Sequence, residues 1–142
     1  MKIRVFAAVA LTIASAFAAP ESDNEVSARK AALDLAGAFT NEGFKMRDGH
    51  WSGTIKPKEQ ALIAVNLYAG NQYWFSIGAT ESAKKIAVNL YDETGKLMQT
   101  ESYNEGDKAA AGFSPTMSGQ YYVMVELVEG DASSVCLVYS YK

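Results

Sequence analysis

Downstream of Gly43 the chain alternates apolar and polar residues with a period of two, the spacing that turns successive side chains to opposite faces of a strand. Ile63, Val65 and Leu67 share one face, as do Tyr73, Phe75 and Ile77. Ile86, Val88 and Leu90 follow the same rule, then Tyr121, Val123, Val125 and Leu127, then Val135, Leu137, Tyr139 and Tyr141. Strand character is expected over 44–47, 51–56, 60–68, 72–80, 85–92, 96–103, 109–114, 120–128 and 134–141, all rich in residues that suit a pleated, half-buried surface. Turn chemistry punctuates them at Asp48-Gly49, Lys56-Pro57, Ala69-Gly70-Asn71, Glu93-Thr94-Gly95, Glu105-Gly106-Asp107, Ser118-Gly119 and Gly130-Asp131. Short turns with no helix between strands predict a mostly β protein, an antiparallel, jelly-roll-like β-sandwich whose two inner faces carry the apolar sets.

Before Gly43 the period is helical. Ser22-Asp23-Asn24-Glu25 fits a capping box, in which the serine hydroxyl and the glutamate carboxylate satisfy each other's free N–H groups. Ala28, Ala32, Leu35 and Phe39 then fall on one stripe, and Gly43 supplies the left-handed residue that stops such a helix. One amphipathic helix of about four turns is expected between Glu25 and Asn41. Its small-residue stripe suits close packing on a sheet or on a partner. The organisation is therefore a helical segment, 19–43, ahead of a sandwich, 44–142.

Residues 1–18 read as a cleaved signal peptide. Lys2 and Arg4 give the positive start, Val5 to Ile13 the apolar run, and Ala16-Phe17-Ala18 the small-x-small cleavage site. The run is too short to span a bilayer, and no later stretch is long enough to do so. An exported protein, periplasmic or extracellular, is expected. Removing Lys2 and Arg4 leaves 11 basic residues against 16 acidic, which moves the formal charge from −3 to −5. With no basic patch, a nucleic-acid partner is excluded. Cys136, the one cysteine, allows no internal disulfide and sits in an apolar stretch that suits a buried thiol.

The string Ile-Ala-Val-Asn-Leu-Tyr occurs twice, at 63–68 and at 86–91. Two copies make neither a solenoid nor a propeller. They predict two strands in similar environments, each with Ile-Val-Leu inward and Ala-Asn-Tyr outward.

The order Leu67-Tyr68-Ala69-Gly70-Asn71-Gln72-Tyr73, Leu90-Tyr91-Asp92-Glu93-Thr94-Gly95 and Ser118-Gly119-Gln120-Tyr121-Tyr122-Val123 resembles bacterial pre-peptidase C-terminal domains. Those domains share a Leu-x-Ala-Gly-x-x-Tyr strand start, a Leu-Tyr-Asp-x-x-Gly hairpin and a Ser-Gly-x-Tyr-Tyr strand start. The resemblance covers roughly residues 50–142. It implies a jelly-roll-like sandwich in secreted proteins, accessory to catalysis, in which some members bind calcium and some adhere to polymers. Lys84-Lys85-Ile86-Ala87 stands where relatives often carry Asp, which counts against an inherited calcium site.

Chemistry-bearing motifs are few. His50 is the single histidine, so a histidine-rich metal site is excluded and a serine triad has one base to draw on. Asp48-Gly49-His50-Trp51 reads as a turn into a strand. No nucleophile elbow, zinc-protease helix, phosphate-binding loop or Cys-x-x-Cys pair occurs. Glu105 and Asp107 around Gly106 are the weak candidates for a calcium loop. No other cofactor is expected. The candidate ligand surface is aromatic: Tyr68, Trp74, Tyr91 and Tyr122 are expected to point outward, with Asn66 and Asn89 on the same side. Rings beside amides suit sugars or a protein surface. The expected function is a non-catalytic binding module for a polysaccharide or envelope protein. The alternative is an accessory subunit docking through its helix.

Overall fold

A computed structural model describes residues 22–47 and 49–142; the leader expected at 1–18, residues 19–21 and Asp48 lie outside the described residues. Helix α1 runs Asp23–Thr40. Nine strands follow: β1 Lys45–Met46, β2 Trp51–Ile55, β3 Gln60–Leu67, β4 Tyr73–Ala79, β5 Ala83–Asp92, β6 Glu101–Glu105, β7 Lys108–Phe113, β8 Gly119–Gly130 and β9 Ser133–Tyr141.

All pairings are antiparallel, and they nest. β2 pairs with β9, β3 with β8 and β4 with β7, while β5 meets the following segment in a single bridge, Tyr91 to Leu97. One long hairpin of three strand pairs, closed by that bridge, has thus rolled up, adding the β4–β9 and β5–β8 contacts. This is a jelly-roll sandwich. One sheet runs β1-β9-β4-β7-β6, with β2 also on β9; the other runs β3-β8-β5. β1 and β2 form one interrupted edge, held in place between them by the Arg47 N–H donating to the Tyr139 carbonyl at 2.9 Å.

The alternating sets lie where the period places them. Val65, Leu67, Tyr73, Phe75, Ile77, Ile86, Val88, Leu90, Tyr121, Val123, Val125, Leu127, Val135 and Leu137 fill the space between the sheets, with Ile63, Tyr139 and Tyr141 at its margin. The two copies of Ile-Ala-Val-Asn-Leu-Tyr flank β8 on either side, one on β3 and one on β5, both with Ile, Val and Leu inward. They part at the last letter. Tyr91 stays paired with Tyr122, whereas Tyr68 has left its strand.

Two expectations need correction. The segment expected as one strand at 96–103 divides. Asp92 accepts from the Thr94 N–H at 2.9 Å, the Thr94 hydroxyl at 2.6 Å and the Lys96 N–H at 3.0 Å, which closes a tight turn. Leu97 and Met98 stay beside β5, and the chain then crosses to the other sheet, where β6 begins at Glu101. The helix stripe also differs: the residues wholly buried are Ala28, Ala32 and Ala36, with Leu35 and Phe39 beside them.

The capping box forms as expected, with the Glu25 N–H donating to Ser22 Oγ at 3.2 Å and the Ser22 N–H to Glu25 Oε1 at 3.3 Å. The alanine stripe packs on the outer face of the six-stranded sheet against Cys136 and Val138. Gly78 makes that approach possible, because a Cβ there would fall on the backbone of Ala32, with Ala28 O and Ala31 C each at 2.7 Å. Phe39 stacks on Trp74, ring centroids 4.3 Å apart and 9° from parallel. One outer face of the sandwich is therefore covered by the helix.

Candidate functional site

The other outer face, that of β3-β8-β5, is covered by no helix among the described residues. Register and alternation arrange its side chains in four rows. Gln60, Glu126 and Ala87 lie across the sheet, then Leu62, Met124 and Asn89, then Ala64, Tyr122 and Tyr91, then Asn66 and Gln120. Residues facing one another across antiparallel strands stand about 4.5–5.5 Å apart at Cβ, so Tyr91 and Tyr122 are cross-strand neighbours. Glu126 carries the one charge in these rows.

Beside the tyrosine pair lies an open recess of about 300 Å³ lined by Gln60, Leu62, Tyr91, Gly95, Tyr122 and Met124. Leu62 is 64% exposed although it sits mid-strand, and Leu97, bridged to Tyr91, is 56% exposed. Such apolar side chains on the solvent side of a sheet mark a surface suited to contact. The Asp92–Lys96 turn anchors the rim that carries Gly95. The Thr94 hydroxyl and then the Lys96 N–H hold the Asp92 carboxyl below its usual range.

Of the six ligand residues expected from sequence, the structure brings four together: Tyr91, Tyr122, Asn66 and Asn89 share this face. The other two lie elsewhere. Trp74 belongs to the outer face of the opposite sheet, beneath the C-terminal end of α1. Its indole lies against Gly112, where a Cβ would come within 2.8 Å, and it stacks on Phe39. Trp74 also lines an open recess of about 340 Å³ together with Phe44, Gln72, Gln99 and Glu101. Tyr68 follows β3 in a loop whose backbone N–H donates to the Tyr73 hydroxyl at 2.9 Å. Tyr68 lies on the flank where β9 faces β3: burial first, and then the Tyr73 and Tyr68 phenols, raise the Tyr139 phenol, against the opposing pull of Arg47.

Sequence reasoning missed Leu62, Met124, Gln60 and Gln120. The signal was present: Leu62 and Met124 occupy the polar phase of their alternating strands, outside the core between the sheets, where Leu62 stands exposed and Met124 is buried on the same face.

Glu105 and Asp107 flank Gly106 in the β6–β7 turn. Glu105 accepts from the Tyr103 hydroxyl, a bond that raises the Tyr103 phenol, and Asp107 lies 4.0 Å from the Lys108 ammonium. Among the described residues no three His, Cys, Asp or Glu side chains converge to hold a metal ion. The calcium-loop candidate gains nothing from this geometry. His50 lies exposed in the loop between β1 and β2.

No family model and no curated protein matches the chain. Among solved structures it is similar to PliG of Aeromonas hydrophila, a periplasmic inhibitor of g-type lysozyme, at 13% identity over 71% of this chain and 90% of that one, with a TM-score of 0.48. It is similar to a CBM4 protein at 21% identity over 72% and 78%, with a TM-score of 0.42. A de novo designed double-stranded β-helix follows at 11% identity over 64% and 97%, with a TM-score of 0.39. At these scores none of the three bears on what this chain binds. No helix among the described residues is long and apolar enough to cross a membrane.

Proposed function

We propose that the protein is an exported, non-catalytic binding module that holds a polysaccharide against the open face of its three-stranded sheet. The observation that carries this reading is the Tyr91–Tyr122 pair, side by side on a sheet face that no described helix covers. A pyranose ring presents a C–H face that packs on an aromatic ring, with hydroxyls at its edge for amide and phenol partners. Asn89, Asn66, Gln60 and Gln120 stand around the pair in the same rows and supply those partners. The leader at residues 1–18 supports export, and the resemblance of residues 50–142 to pre-peptidase C-terminal domains supports an accessory role beside catalysis. Docking on an envelope protein through α1 has less support, because its alanine stripe is spent against the protein's own sheet.

The test is retention on a panel of insoluble polysaccharides, peptidoglycan included, followed by titration with soluble oligomers. Saturable binding is expected, with Tyr91→Ala and Tyr122→Ala each weakening it about tenfold through loss of ring contact. Both side chains lie outside the core, so both variants should melt near the wild-type temperature. Absence of binding to every polymer overturns the proposal.

A further inference from the structure

We infer that the recess between Leu62, Met124 and the tyrosine pair is a pocket for an acetamido group, so that the polymer held on this face is one of N-acetylated amino sugars; this rests on the polysaccharide reading above. The argument is one of matching surfaces. A plain glucan offers hydroxyls around its ring edge and no methyl. An N-acetylated sugar adds a planar amide that ends in a methyl. The recess has both complements: the apolar walls of Leu62 and Met124, and the amide of Gln60 in its lining. Asn89 faces Met124 directly across the sheet, one row from the tyrosine pair, and adds an amide to the same face beyond the recess lining.

Its size agrees. At about 300 Å³ it lies at the small end of ligand pockets and suits one sugar residue with its substituent. Charge agrees as well. Glu126 is the one charged side chain in the four rows, and none of the residues lining the recess carries a charge. The occupant is therefore uncharged where it meets the recess. The exposure of Leu62 is then explained by function: an apolar side chain stands 64% exposed on the solvent side of its strand because a methyl group covers it when ligand binds.

Chitin and cellulose share a β-1,4-linked, uncharged backbone and differ at carbon 2, acetamido in one and hydroxyl in the other. Their soluble tetramers, titrated calorimetrically into the protein, isolate that difference. The chitin tetramer should bind about tenfold more tightly, ~1.4 kcal/mol, from one buried methyl and one amide hydrogen bond. Leu62→Gln, an exposed position whose change leaves the core intact, should bring the two affinities within about twofold by weakening the chitin tetramer more than the cellulose tetramer. Tyr122→Ala should weaken both. Equal affinity of the wild type for the two tetramers overturns the acetamido assignment and leaves the polysaccharide reading standing. A preference for chitin that survives Leu62→Gln also overturns it, because discrimination then arises elsewhere. Binding to neither tetramer nor any polymer sinks the polysaccharide reading itself, and binding to a peptide surface instead would replace it with a protein partner.

Discussion

A Cβ at position 78 would lie among the backbone atoms of Ala28, Ala31 and Ala32, so even alanine there lifts the helix from the sheet. Gly78→Ala should lower stability by about 2–4 kcal/mol in urea unfolding, since backbone on both sides leaves nothing soft to move. Val123, fully buried at the centre of β8, sets a different limit. Val123→Asp should cost several kcal/mol through an unpaired buried carboxyl, and a variant that melts like wild type would refute that placement. Asp92 makes stability depend on acid. Its carboxyl ionises below the ordinary value of 3.8, through the Thr94 hydroxyl and the Lys96 N–H, so the folded state favours the charged form. That contribution is present above the unfolded value and fades as pH falls through the lowered native one. In Asp92→Ala the stability deficit relative to wild type should therefore be largest above about pH 4 and shrink toward pH 2, as read by unfolding at fixed pH. Single-residue roles of this kind were legible where chemistry is local: the Asp92 turn and the Ser22 cap involve neighbours within four positions. Gly78 was not legible, because its partner is a helix some fifty residues earlier.

At the scale of elements, alternation decided most of what could be read. Every inward set named from sequence joins one core, since a period of two fixes face without knowledge of partners. Alternation cannot say which sheet a strand joins. For that reason Trp74 and Tyr91, both outward-facing, read as members of one surface and turn out on opposite sides of the sandwich. It also cannot see a strand that changes sheet, which is why 96–103 appeared continuous although Leu97 and Glu101 belong to different sheets. Trp74 therefore has an elemental role. It clamps the C-terminal end of α1 through Phe39, with Phe39 also 6.4 Å edge-on to Phe44. Trp74→Ala should destabilise by about 2–3 kcal/mol and loosen α1 in hydrogen exchange, while leaving oligosaccharide affinity unchanged. A loss of affinity with the fold intact would return Trp74 to the binding surface.

For the whole molecule, unequal covering of two sheets is what gives it a front and a back. The six-stranded sheet receives the helix, and the three-stranded sheet keeps its rows open. The same nesting concentrates responsibility in one strand. β9 pairs with β1, β2 and β4 and forms the bed of α1 through Cys136 and Val138. It is also the last of the nine strands to leave the ribosome. A nascent chain that has released 22–130 holds a helix with only the β4 part of its bed and an edge with no neighbour, so it should stay sensitive to protease until Ser133–Tyr141 emerges, then become resistant in one step. Pulse digestion of ribosome-bound chains of graded length reads that step directly. The order in which strands are synthesised, set against the order in which they pair, makes the strand that seals the helix-bearing sheet arrive after all its neighbours, so closure of that sheet waits on β9.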